Sequence, residues 1–489
     1  MEIFMKHISS SLQDNINTLH ELLPLSKSFD LLTRKITLCN LDSFFIGING
    51  YCDDKVLHTL FKDLQAMDFS QDVKQDSMPE IIEKLTHAFP VGQVQHYDTF
   101  SPLIFNLLSG TILLFFEGVN VGFSIDVREY PVRGIEEPEN EKVIRGAKDG
   151  FVETLLFNAN LIRRRIRSPH LTFEIFTVGS QSKTDVSIAY MDGEADPTLL
   201  DAIRQKLHNI HVSALTMGTK SMEELLVPHK WYHPLPSLFR TERPDVACSY
   251  LLEGYILLMV DTTPSVLVLP CSVFQFSQSP EDYYKTPLIG NYIRFFRFLC
   301  AMASLFLLPL FLLLASNPHL LPDGISLLKT GDFSPLRIFI YVLFAEIALD
   351  LFKYSSSHTP SGFSGSFSII GGLLIGDVAV KLEWASSEII FYAAATVLAS
   401  LSLSSIEYAD AIRMYRLFLI LCTGFWGLSG FLAGCVCILL SVFTTPGVFK
   451  KSYFWPLFPY NKKALRALLF RFPTRYKQPP QIWGHKKKS

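Results

Sequence analysis

The chain reads as two joined parts: an α/β cytoplasmic region of two subdomains, followed by an all-α polytopic membrane domain. Three observations lead there. Of 489 residues, 49% are hydrophobic and only 18% charged, against about 25% in an average soluble protein, and mean hydropathy is +0.26. Apolar residues fall in short strand- and helix-sized pieces up to about residue 290, and in long uncharged runs beyond it. Charge is also unevenly placed. Residues 450–489 hold eleven Lys or Arg and no Asp or Glu, leaving 33 of the 44 basic residues to face all 46 acidic ones. A basic tail behind an apolar region is the pattern of a membrane protein whose tail faces the cytoplasm. So apolar a chain excludes disorder as the overall state, and an acidic N-terminal region excludes nucleic-acid binding.

Residues 1–140 and 141–290 are expected to be the two α/β subdomains. Strand-like runs (Thr111–Phe116, Val121–Ile125, Ser187–Tyr190) alternate with helical stretches (Val56–Ala66, Gly150–Arg165, Asp196–His208). An internal echo links the halves. The run from Leu107 to Leu114 matches Leu251 to Leu258 when Gly110 is set on Gly254, and each copy continues into a second apolar run, Val119–Ile125 and Pro264–Pro270. Two hairpins of like build, 144 residues apart, predict two related subdomains joined by the charged, Pro-containing stretch Arg128–Lys148. The N-terminus lacks the apolar core of a signal peptide, which places this region in the cytoplasm. The eight cysteines are scattered with no CxxC, as expected of small buried hydrophobes in a reducing compartment.

The membrane domain is expected over 291–449. Phe298–Ser316 is nineteen uncharged residues, about 28 Å of helix against a ~30 Å hydrocarbon core, with Arg294 and Arg297 at its cytoplasmic start. Ile338–Phe352 is a second span that carries Glu346 and Asp350 on one helical face. Ile389–Leu403 is a third and Leu417–Phe443 a fourth. Phe367–Val380 is too short to cross and reads as re-entrant. Four crossings keep both ends cytoplasmic, although Arg413 and Arg416 then fall on the outer side. The tail, 450–489, combines Tyr453, Phe454, Trp455, Phe458 and Tyr460 with interleaved Lys462, Lys463, Arg466 and Arg471, as an amphipathic helix on anionic membrane lipid would.

Catalytic chemistry is not signalled. The sequence has no phosphate-binding GxxxxGK[ST] loop and no GxSxG elbow; Gly362-Phe-Ser364-Gly365 fails the spacing. His208/His211 and His229/His233 lack a third metal ligand nearby, so neither an enzyme, a metal nor a cofactor is expected. The membrane half carries the chemistry instead. An ionisable group at bilayer depth is costly, so Glu346, Asp350 and Asp377 should face protein or water. On a helix Ile370, Leu373 or Leu374, Asp377 and Lys381 share a face, which makes Ile370, Leu373, Leu374, Asp377, Glu346 and Asp350 the pore-lining candidates. Gly372 and Gly376 form a GxxxG for close helix packing. Arg163, Arg164 and Arg165 close a helix, where cations complement its dipole, and are candidate contacts with an acidic surface of a neighbouring subunit.

Several segments carry a resemblance. Arg145–Glu153, Asn160–Arg165, Thr241–Val246, Leu252-Glu253-Gly254 and Gln278–Tyr284 resemble the GerA family of spore germinant receptor A subunits, over about residues 25–475. Ser182–Asp185, Ala195–Pro197, Asp261–Val266, Trp455–Pro459 and Leu469–Arg471, with Ala147 where many receptor A subunits have proline, resemble a branch acting beside the nutrient receptors. The resemblance implies an integral protein of the inner spore membrane that acts in germination. It further implies oligomerisation into an ion-conducting channel and work with other germination membrane proteins.

Overall fold

The computed structural model describes residues 6–129, 141, 143, 145–227, 232–317, 334–357, 381, 386–445, 447, 449 and 452–471. Among these residues one unit runs from 6 to 227 and from 238 to 271, and the other takes in 232–237 and the residues from 272 to 471.

The first unit contains two five-stranded antiparallel sheets of the same strand order. In the first, α1 (Leu12–Leu22), β1 (Leu31–Leu38), β2 (Leu41–Ile48), α2 (Asp54–Gln65), α3 (Asp72–Gln75), α4 (Met78–Ala88), β3 (Val94–Tyr97), α5 (Phe100–Leu108), β4 (Ile112–Phe116) and β5 (Gly122–Ile125) build the order β1-β2-β4-β5-β3. In the second, α6 (Leu155–Arg165), β6 (Leu171–Val178), β7 (Thr184–Met191), α7 (Pro197–His208), α8 (Thr219–Leu226), β8 (Phe239–Thr241), α9 (Pro244–Leu252), β9 (Ile256–Val260) and β10 (Val266–Leu269) give β6-β7-β9-β10-β8. The central strands are apolar on both faces because helices cover both. In β4, Leu113 and Phe115 join the core under α1 and α5, while Ile112, Leu114 and Phe116 join the one under α2 and α4.

The echo around Gly110 and Gly254 is one motif built twice. Each glycine ends a helix with positive φ, +105° and +88°. The Gly110 amide donates to the Leu107 carbonyl and Thr111 to Asn106; Gly254 donates to Leu251 and Tyr255 to Tyr250. This is the Schellman termination, which needs a residue tolerant of left-handed backbone where the chain leaves helix for strand.

The second unit is helical. After the four-residue α10 (Glu281–Tyr284) come α11 (Pro287–Ser316), α12 (Pro335–Ser357), α13 (Ser387–Leu401), α14 (Ile406–Phe443) and α15 (Lys462–Leu469). Two of these, α11 and α14, are long and apolar enough to cross a membrane. The expected single span Leu417–Phe443 is corrected, because α14 folds back on itself at Gly427 (φ 58°, ψ −133°). Tyr415 Oη lies 2.9 Å from Ser441 Oγ, although 26 residues of straight helix would separate them by about 39 Å. A Cβ on Gly430 would stand 1.9 Å from the Cys422 carbonyl oxygen, and one on Gly434 2.7 Å from Leu419 Cδ1. Gly430-x-x-x-Gly434 therefore lets the arms 406–426 and 428–443 pack backbone to backbone. The re-entrant segment expected over Phe367–Val380 lies outside the described residues.

Contacts fix the directions. The far end of α11 (Leu308, Phe311, Leu312, Ala315) shares a core with the starts of α12 (Ile338, Phe339, Val342) and α13 (Ile389, Ala393), and with Ile420 of α14. At the opposite end Ser404 Oγ donates to the Phe276 carbonyl at 2.7 Å. Both α12 and α13 hence run against α11, and the first arm of α14 runs with it.

Candidate functional site

The apolar bundle holds a charged seam between α12 and the first arm of α14. Arg416 Nε donates to Glu346 Oε1 at 2.9 Å, and its Nη2 donates to the same oxygen. Arg416 Nη1 reaches the Ser304 carbonyl and hydroxyl on α11 at 2.8 and 3.1 Å. Arg413 Nη1 lies 3.1 Å from Asp350 Oδ1, and Lys353 Nζ 3.0 Å from Asp410 Oδ1. The rungs 346/416, 350/413 and 353/410 follow antiparallel helix spacing, one helical turn apart. They grade in burial, from 1–2% exposed side chains at Glu346–Arg416 to 28–31% and then 42–44%.

A second cluster stands where the chain enters α11. Asp282, fully buried, accepts Arg297 Nη2 on Oδ1 at 2.9 Å and Arg297 Nη1 on Oδ2 at 3.0 Å, with Arg294 Nε at 3.4 Å. Arg294 Nη1 continues to the Leu468 carbonyl of α15 at 2.9 Å. Arg471 Nη1 binds the Asp282 carbonyl at 2.7 Å, and its backbone exchanges hydrogen bonds with the Asn291 side chain. Arg294 and Arg471 both stack over the Tyr283 ring. The Gln278–Tyr284 and Leu469–Arg471 segments, nearly 190 residues apart in sequence, thus meet at one point. Gly290 permits it, since a Cβ there would lie 2.5 Å from the Asp282 carbonyl.

Glu346 and Asp350 therefore stand in the seam, each matched by an arginine rather than lining an open space. Ile370, Leu373, Leu374, Asp377, Gly372 and Gly376 lie outside the described residues. Of the arginine cluster, Arg163 is corrected as a subunit contact. Its side chain is 1% exposed and bound to Asp30 at 2.8 Å and to the Ser168 and Leu171 carbonyls at 3.0 and 2.9 Å. Arg165 pairs with Asp149, and Arg164 is exposed. Arg294 and Arg297, expected as flanking charges, are spent on Asp282. The tail helix likewise turns part of its apolar side, Ala464 and Leu468, into the protein rather than outward.

Arg413, Arg416, Asp410 and Lys353 were not anticipated as partners. A signal existed: Glu346, Asp350, Lys353 and, read backwards, Arg416, Arg413, Asp410 are sign-complementary at helical spacing. In the first unit, burial pushes the Glu141 carboxyl up to about 7 against hydrogen bonds from Thr241 Oγ1 and the Glu242 amide. Burial alone pushes Glu253 up to about 7, and its Oε2 has no partner. Among the described residues no three His, Cys, Asp or Glu side chains are grouped to hold a metal.

The model of the Bacillus/Clostridium GerA spore germination protein family matches residues 17–481. Stage V sporulation protein AF of Bacillus subtilis is 34% identical over 91% of this chain and 90% of its own length. Spore germination protein KA of the same organism is 28% identical over 95% and 85%. A crystal structure of the N-terminal domain of the A subunit of the Bacillus megaterium spore germinant receptor GerK3 aligns at 27% identity and a TM-score of 0.40, over 54% of this chain and 96% of that one.

Proposed function

Because the chain belongs to the GerA family of spore germination proteins, we propose that this germination-related membrane protein is a subunit of an oligomeric cation channel of the inner spore membrane. In this reading it releases cations, or amplifies their release, during germination. The observation that carries the reading is the charged seam. An apolar anchor needs no ionisable groups, each of which costs ~2.5–3.5 kcal/mol at bilayer depth on insertion scales, yet α12 and α14 carry four, in two pairs, along their contact. Such a seam fixes the register of a helix pair that must hold its shape under an ion gradient.

The pore itself is assigned to Ile370, Leu373, Leu374 and Asp377, with the seam as its brace. Apolar side chains gate by dewetting, and a ring of Asp377 carboxylates concentrates cations at one mouth. Gly372 and Gly376 would allow close packing of that segment. Both chain ends face the cytoplasm. In support, the Tyr453 carbonyl of the tail accepts from the Val273 amide just before α11, so α14 returns to the side from which α11 departs.

Ion flux through the purified full chain in liposomes tests the channel directly. Cation efflux that rises with Ile370→Ala or Leu374→Ala and falls with Asp377→Asn is expected. Inserted protein without flux would favour a non-conducting scaffold or receptor A subunit that organises other germination membrane proteins.

A further inference from the structure

We propose that the start of α11 and the outer face of α15 form one collar that binds an anionic phospholipid leaflet. The collar rests on the membrane reading above but not on ion conduction. Its first half is an inverted helix. At 30 residues α11 is about 45 Å long, some 15 Å more than the hydrocarbon core, so its first three turns extend past the acyl chains. A helix emerging into water would turn charge outward. Here Arg294 and Arg297 point inward to Asp282, while Leu288, Tyr292, Phe295 and Phe296 are 50–82% exposed. Aromatic side chains outside and guanidinium groups inside match the headgroup and upper acyl region, where rings are stable and bulk water is scarce.

The second half lies against the first. Helix α15 is tied to α11 by Arg294 Nη1 to the Leu468 carbonyl and by the Asn291–Arg471 bonds. With Ala464 and Leu468 turned inward, its outer side presents Lys462, Lys463, Leu469 and Phe470. No acidic residue occurs from 450 to 489 to answer these ammonium groups. The acidic residues of α10 are committed, Asp282 to the arginines and Glu281 to Lys285 at 2.8 Å. Rings beside lysines fit a lipid that offers acyl chain and phosphate together. A second copy would suit the rings but would set lysine against lysine.

The test uses the full chain in vesicles of phosphatidylcholine with phosphatidylglycerol, one of the two lipids being brominated. The emission added by Tyr292→Trp should be quenched at least twofold more by brominated phosphatidylglycerol than by the phosphatidylcholine analogue at equal mole fraction. The pair Lys462→Gln/Lys463→Gln should abolish that preference while leaving quenching itself. Independently, mass spectrometry of the unsubstituted protein released from mixed vesicles should find bound phosphatidylglycerol in excess over its bulk fraction, lost in the lysine variant. Equal quenching by both lipids overturns the anionic preference. If neither lipid quenches the added indole, and Phe296→Cys copies cross-link, the face belongs to a second copy and the collar is overturned. Failure of the protein to float with either vesicle would overturn the membrane reading itself, a result separable from floating without preference.

Discussion

Two of the almost completely buried arginine–carboxylate pairs among the described residues, Asp30–Arg163 in the two-sheet unit and Glu346–Arg416 between two apolar helices, are satisfied to different degrees. Asp30 accepts Arg163 Nε on one oxygen and Ser28 Oγ on the other, while the two remaining Arg163 nitrogens reach backbone carbonyls. The Arg163 guanidinium also lies over the Phe173 ring at 5.3 Å. In the bundle, Glu346 Oε1 takes two arginine bonds and Oε2 takes none. The first pair is woven into the strand lead-ins around it, for the Phe29 amide donates to the Phe173 carbonyl and Phe173 back to Ser28 Oγ. The second stands among side chains that offer few donors. Burial alone does not say what a pair contributes; the hydrogen bonds around it do.

Removing one partner should therefore have the largest effect in both places. Arg163→Ala strips the buried Asp30 of its cationic partner, and Arg416→Ala does the same to Glu346. Each should cost about 3–5 kcal/mol, read as a fall in the unfolding midpoint of the full chain in detergent. Midpoints unchanged in both would mean that neither pair is closed in the folded protein.

Replacing both partners by apolar residues separates the two sites. Glu346→Leu with Arg416→Met should recover most of the loss, because Ser304 keeps its place in a helix and the bundle around it is apolar. Asp30→Leu with Arg163→Met should stay about 1–3 kcal/mol below the parent, since Ser28 and the Ser168 and Leu171 carbonyls lose their partner. Equal recovery at the two sites would erase the distinction drawn above.

A third carboxylate, without any ion pair, sharpens it further. Glu253 titrates near 7 because burial opposes its charge. Its unfolded value is ~4.3, so the folded state holds the proton more tightly. The stability contribution is then greatest below about pH 4 and declines as pH rises through 7. Glu253→Gln should flatten that decline and raise stability at pH 8 by about 1–3 kcal/mol, while changing little at pH 4. A pH profile identical to the parent's would show the carboxyl to be solvated.

These sites were unequally legible in the sequence. The hairpins at Gly110 and Gly254 were readable because the evidence is local: an apolar helix, a glycine, then a β run within eight residues. Glu346 and Asp350 were also visible as charges out of place. Their partners were not, because 60 to 70 residues separate them and only the helix register reveals that Arg416 faces Glu346. The fold-back at Gly427 was hidden by composition. An unbroken apolar run reads as one span, and the glycines at 424, 427, 430 and 434 differ in meaning only once their backbones are seen: one reverses the chain and the others permit contact. Arg163 looked like surface charge because its partner Asp30 lies 133 residues earlier, in the turn before β1.

The outermost rung gives the smallest expected effect and the finest test of the comparison. Lys353 and Asp410 sit 3.0 Å apart, but both side chains are more than 40% exposed. If hydrogen-bond satisfaction and desolvation set the contribution, the three rungs should fall in the order of their burial. Lys353→Gln should then cost no more than ~1 kcal/mol and lose part of that effect in 1 M salt. Asp350→Asn should fall between it and the Glu346 rung. Both would be read from denaturation midpoints in one detergent. A cost for Lys353→Gln comparable to that for Arg416→Ala would mean that the outer rung lies inside the bilayer, and would move the membrane boundary past Lys353 to include the whole seam.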